Sequence, residues 1–152
     1  MEKTIIFRVV ELTVFDLGSV EANNEPFVRL TSKASTEAFD SSPGVSSSSS
    51  FRFNDRDDNN IMKFSGERYD PAAGILPMFA INVFTRDLKS RQTLSYPGSC
   101  MVSVENKANT ISCDLCEGYE NEVMGTIKLS YEMIGTSKKK TPLQMSSSGK
   151  RS

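Results

Sequence analysis

Cys113-Asp114-Leu115-Cys116 has the spacing at which two thiols supply half a zinc site or cycle between dithiol and disulfide. A zinc site needs two further ligands. The sequence contains no histidine and no second cysteine pair, which leaves Cys100 and Asp114 to complete a site by an accident of folding. A thioredoxin-like dithiol would sit beside a βαβ unit, and that pattern is missing. The thiols therefore read as incidental: Cys113 and Cys116 in a loop, Cys100 as a small apolar side chain in a strand. Asp55, Asp57 and Asp58 lie close together, but they lack the glycine and the flanking helices of a calcium-binding helix-loop-helix, so they read as a solvated acidic turn. Serines are numerous, yet without histidine none has the commonest base to activate it. Neither a Gly-x-Ser-x-Gly elbow nor a phosphate-binding loop occurs. The residues predict no catalysis, no bound metal and no cofactor; an enzyme using carboxylates on an all-β frame is the remote alternative, with no pair singled out.

Binding chemistry is more visible. Residues 86–96 mix the cations Arg86, Lys89 and Arg91 with the apolar Leu88, Leu94 and Tyr96. Arginine and tyrosine are common anchors of protein interfaces. The same mixture would let cations meet anionic phospholipid headgroups while Leu88 enters the interface. A protein partner is the first expectation and an anionic membrane surface the second. With 18 basic and 19 acidic side chains the net charge is -1, which predicts no bulk attraction to nucleic acid. No small-molecule substrate is evident. Serines in residues 41–50 could accept phosphate, although such runs usually serve as spacers. Lys138-Lys139-Lys140 falls short of the clustered cations that lipid recognition by a tail requires.

The elements that must position these groups read as strands. Residues 4–12 are β-branched and apolar, and 26–30 open a second strand with Val28, Leu30 and Ser32 on one face and Phe27, Arg29 and Thr31 on the other. Residues 78–85 alternate most clearly, with Phe79, Ile81, Val83 and Thr85 on one side. Residues 51–53, 61–64, 99–104 and 124–133 supply further strands, while 15–25, 65–77 and 86–97 read as loops. Residues 40–50 are too poor in apolar area to offset the entropy of ordering and read as a mobile loop. No long amphipathic helix appears. The expectation is an all-β, antiparallel sandwich of about eight strands over residues 1–135, followed by a disordered, basic and Ser-rich tail over 136–152. Three cysteines make no disulfide framework, and Arg8 interrupts the apolar run that a signal peptide would need, so a cytoplasmic setting is expected, with membrane or cytoskeletal association left open.

Several stretches then resemble one family in order and spacing. Val9-Val10-Glu11-Leu12, a loop of a dozen residues, and Glu25-Pro26-Phe27-Val28-Arg29-Leu30 resemble the opening of a C2 domain. Ile81-Asn82-Val83-Phe84-Thr85-Arg86-Asp87 is similar to the strand entering that family's third calcium loop, Tyr96-Pro97-Gly98-Ser99 to the segment leaving it, and Gly125-Thr126-Ile127-Lys128-Leu129-Ser130-Tyr131 to its closing strand. The resemblance implies a C2-like sandwich whose calcium ligands come from the first and third loops. Matching positions here hold Ser19 and Glu25, then Asp87, Lys89 and Ser95. Calcium needs six to eight hard oxygens, and Lys89 puts an ammonium where the family has a carboxylate. The resemblance therefore implies a degenerate, calcium-independent binding module.

Overall fold

Thirteen residues of mostly extended-chain formers, Glu2–Val14, build the first strand, β1. Ile5, Phe7 and Val9 alternate inward. A bulge between Val9 and Glu11 then inserts one residue, and the inward phase moves to Leu12. Without that bulge Glu11 would enter the core. Instead it stays half-exposed and accepts a hydrogen bond from the Ser50 hydroxyl at 2.9 Å. The computed structural model describes residues 2–14, 24–47, 50–87, 93–105, 109–117 and 122–135.

Nine more strands follow: β2 (Asn24–Ser32), β3 (Ala38–Asp40), β4 (Val45–Ser47), β5 (Ser50–Arg52), β6 (Ile61–Arg68), β7 (Met78–Asp87), β8 (Thr93–Ser103), β9 (Thr110–Glu117) and β10 (Glu122–Gly135). Every pairing among them is antiparallel. They form one hydrogen-bonded path, β3-β2-β7-β8-β9-β10-β1-β5-β4, with β6 also on β1. The path curls so that β3, β2, β7 and β8 face β9, β10, β1 and β6. Phe7 of β1 meets Phe79 of β7 edge-to-face at 4.8 Å, and Phe64 of β6 reaches Phe79 at 4.8 Å and Phe39 of β3 at 5.0 Å. One continuous apolar cluster fills the space between the layers. This is the expected all-β antiparallel sandwich.

The strand count exceeds the expected eight for two reasons. Residues 40–50 are not a bare loop. The Ser41 backbone N–H donates to the Val28 carbonyl and the Gly44 N–H to that of Pro26, both at 2.8 Å, so the segment continues the edge of β2 beyond β3. The Ser41 side chain is buried, accepting from the Val28 N–H and donating to the Ser42 carbonyl. Gly44 lies against Phe51 and Phe53, where a Cβ would come within 3.0 Å of each. Backbone pairing thus supplies what the side chains lack. Ser48 and Ser49 lie outside the described residues, as does the expected tail over 136–152. The second reason is β9: the segment holding Cys113 and Cys116 is a strand, with Leu115 buried and Ser112 and Asp114 exposed. β6 also runs on to Arg68, past the expected end at Phe64.

Two buried polar features tie the layers. Glu67 of β6 is 2 % exposed, and its Oε2 accepts from the Ser32 hydroxyl of β2 at 2.7 Å. Tyr131 of β10 donates its hydroxyl to the Glu105 carbonyl at 2.6 Å. Burial raises the Tyr131 pKa above its usual value of 10.0. A folded-state pKa above the unfolded one keeps its stabilising effect below pH 10 and loses it as pH rises through the folded value. Unfolding free energy should therefore fall above about pH 10, the reference value of an unfolded tyrosine. Tyr131→Phe should flatten that decline while costing about 1 kcal/mol at pH 7 from the lost hydrogen bond. Urea titrations of both proteins at pH 8 and pH 11 measure the difference. An identical decline in Tyr131→Phe would assign it elsewhere.

Candidate functional site

Two strands carry the same short pattern, Phe27-Val28-Arg29 on β2 and Phe84-Thr85-Arg86 on β7. The antiparallel register sets Phe27 opposite Phe84, Glu25 opposite Arg86 and Arg29 opposite Asn82. The two rings stack at 5.5 Å with planes 22° apart. Each arginine then lies on the diagonal, over the ring of the other strand: Arg86 is 5.6 Å from the Phe27 ring and Arg29 is 4.7 Å from the Phe84 ring. Arg29 also forms a two-pronged pair with Asp40 of β3, at 2.6 and 3.0 Å. The Asp40 hydrogen bond raises the Arg29 pKa further. The outer surface of β2 and β7 is thus an ordered row of cation, ring, ring, cation and carboxylate. Repetition of Phe-x-Arg was the available signal, and it has meaning only once the register is known.

This row ends where the expected interaction loop begins. Arg86 is exposed at the end of β7. Leu88, Lys89 and Arg91 lie outside the described residues, as does Ser19. The expected loop over 86–97 is shorter than the sequence indicated, because β7 reaches Asp87 and β8 begins at Thr93. Leu94, Ser95 and Tyr96 accordingly belong to the backbone of a strand, Leu94 opposite Thr85 and Ser95 opposite Phe84. Glu25 is likewise a strand residue. Its cross-strand partner is the cationic Arg86, while Asp87 stands opposite Asn24. The register does not set the two carboxylates opposite one another.

The cysteines are arranged differently from what their spacing suggested. On β9, alternation puts Cys113 and Cys116 on opposite faces, so the Cys-x-x-Cys spacing does not bring those two thiols together. Cys116 Sγ points to the Asp114 carbonyl at 3.9 Å. Cys113 and Cys100 of the neighbouring β8 are both half-buried against the apolar cluster. Their mutual influence draws Cys113 below the usual thiol range and, with burial, pushes Cys100 above it. Among the described residues no group of three or more His, Cys, Asp or Glu could hold a metal. Asp57 of the acidic turn accepts from the Asn59 N–H at 2.9 Å and caps a single helical turn.

Two shallow hollows of about 370 and 450 Å³ flank Arg8 on the outer face of β1 and β10. One is lined by Asn109, Thr110 and Glu132, the other by Arg52, Asn54 and Asp55. Each brings a single described carboxylate beside Arg8. No described helix is long and apolar enough to cross a membrane.

No family model and no curated protein matches the sequence. Solved structures do match the fold. A C2 domain of a plant extended synaptotagmin 1 superposes with a TM-score of 0.59 at 13% identity, covering 88% of this chain and 95% of that one. A C2 domain-containing protein gives 0.62 at 14% identity over 92% and 93%. Human GIVD cytosolic phospholipase A2 gives 0.59 at 11% identity; the likeness covers 90% of this chain but 18% of the enzyme.

Proposed function

From the C2 fold as premise, we propose that this chain is a non-catalytic, calcium-independent binding module that docks a protein partner through one end of its sandwich. The contact is assigned to Arg86, where the Phe27, Phe84 and Arg29 row ends, and to the expected loop residues Leu88, Lys89, Arg91, Leu94 and Tyr96. The observation that carries the reading is the pairing of Glu25 with Arg86, whose guanidinium lies over Phe27. A guanidinium on an aromatic ring is a preformed anchor, held without cost in side-chain freedom when a partner arrives. The same cation opposes calcium at the end of the ladder where Glu25 and Asp87 sit. Lys89 would add an ammonium, a second cation, to the degenerate set of Ser19, Glu25, Asp87 and Ser95.

The test combines two measurements. Millimolar calcium is expected to leave the melting temperature unchanged, whereas a specific site filled well above its Kd would add several kcal/mol. Affinity capture from a native extract should recover a partner, and Arg86→Glu should weaken that capture about tenfold or more with folding retained. A rise of several degrees in calcium refutes calcium independence. Binding to vesicles rich in phosphatidylserine, lost in a Lys89→Glu/Arg91→Glu variant, would replace the protein-docking reading with a membrane one.

A further inference from the structure

The row of rings and guanidinium groups occupies one layer of the sandwich. The outer face of the other layer carries a different arrangement. On β1, Ile5, Phe7 and Val9 are buried, so Ile6 and Arg8 point outward. The register sets Ile6 opposite Glu132 and Arg8 opposite Ser130, which makes Arg8 and Glu132 diagonal neighbours. Both side chains are exposed. The ion pairs seen among the described residues, Arg29–Asp40 and Arg52–Glu11, use neither of them. Arg8 donates from Nη1 to the Asp55 carbonyl at 3.4 Å. Lys63, opposite Ile6 on β6, stands two strands, about 10 Å, from Glu132. The two hollows beside Arg8 share Arg8 and Ser130 as walls. They are halves of one open trough with the guanidinium at its middle. The bulge between Val9 and Glu11 breaks the pleat of β1 at Val10, which lines the half toward Asp55.

We propose that this trough binds an extended peptide segment carrying an acidic and a basic residue two positions apart. An open trough on a sheet face fits an extended chain better than an enclosed small molecule. Arg8 takes the carboxylate in its planar fork, and Glu132 takes the cation. The spacing agrees on both sides. Diagonal neighbours across an antiparallel pair stand about 7–8 Å apart. Residues i and i+2 of an extended chain face the same way and stand about 7 Å apart. Ile6, half-buried beside Glu132, gives the aliphatic stem of the basic residue an apolar floor. In the other half of the trough Arg52 and Asp55 carry opposite signs, so selectivity rests with Arg8 and Glu132.

The probes are short capped peptides of glycine and serine with one aspartate and one lysine two positions apart. Titrated into the isotope-labelled whole chain, they should shift the amide resonances of Arg8, Ser130 and Glu132 and leave those of Arg29, Phe84 and Arg86 unmoved. The mixed-charge peptide should bind about fivefold more tightly than peptides with two aspartates or two lysines, the factor an exposed ion pair can supply. Arg8→Glu should turn the preference toward two lysines, and Glu132→Lys toward two aspartates, with the fold retained because both side chains are exposed. Arg86→Glu should change none of these responses, which separates this site from the docking end. Equal binding of the three peptides by the wild-type protein, a preference unaltered by either charge reversal, or shifts confined to the Arg86 end would each overturn the proposal. So would binding of phosphatidylserine vesicles that Arg8→Glu abolishes while peptides give no response, or self-association abolished by the same change. The comparison of the three peptides on wild-type protein needs no variant to fold.

Discussion

Phe7→Ala is expected to remove about 3–5 kcal/mol of unfolding free energy, the range seen when a large buried aromatic leaves a cavity. Phe7 is 0 % exposed, and its ring stands at the junction of the layers. It meets Phe79 at 4.8 Å and 77°, Phe64 at 6.0 Å and 82°, and Tyr131 at 6.0 Å. Alanine forfeits those contacts together with the burial of the ring itself. The surrounding side chains come from β6, β7 and β10, and β7 and β10 are held by ladders on both sides, so the cavity can collapse only partly. Phe7→Leu retains most of the volume and should cost about 1–1.5 kcal/mol. Urea denaturation of the three proteins decides this through the midpoint, with the slope unchanged. A loss below about 1 kcal/mol for alanine would mean that the layers are not closed over this ring.

The second large effect should come from a single hydroxyl. Ser32 is fully buried and is the hydrogen-bond partner of Glu67 Oε2. The other carboxyl oxygen, Oε1, has no partner among the described residues. Lys3 stands opposite Glu67 in the register, but its ammonium is directed to the Tyr69 ring. Ser32→Ala therefore leaves a buried carboxyl group with no hydrogen-bond partner among the described residues, at an expected cost of about 2–3 kcal/mol. The Ser32 hydroxyl also accepts from the Ser35 N–H at 3.3 Å, so the turn into β3 loses a support as well. Removing both polar groups should reverse most of the damage. In Ser32→Ala/Glu67→Met no unsatisfied carboxyl remains, and the double variant should recover to within about 1 kcal/mol of wild type. Additive losses in that double variant would show that Glu67 stabilises through contacts other than Ser32.

Much of the fold was legible because burial in a half-exposed strand writes itself as a period of two. Phe79, Ile81, Val83 and Thr85 read as one face, and all four are buried. Val28 and Leu30 behave the same way. The pattern failed where a residue pair suggested chemistry. Ile111, Cys113 and Leu115 alternate with Ser112 and Asp114 in the manner of a strand, yet the Cys-x-x-Cys spacing drew that segment toward a loop. It also failed where side chains are silent. Val45–Ser47 has little apolar area, and it pairs because β5, legible from Phe51 and itself paired with β1, presents a free backbone edge.

The candidate site was legible in part. Arg86 stood out by its charge among apolar residues. Arg29, Phe27 and Phe84 did not, because each is unremarkable within its own strand. Their row exists only in a register that aligns two Phe-x-Arg segments running in opposite directions.

By itself the sequence determined the class of structure and the want of histidine chemistry, because alternation and composition are local properties that survive without knowing any partner. Only the tertiary structure decided which rings carry a guanidinium, which carboxyl is buried beneath Ser32, and that Cys113 and Cys116 sit on opposite faces of one strand. Those facts depend on strand register and on the meeting of distant segments, and alternation along one strand says nothing about either.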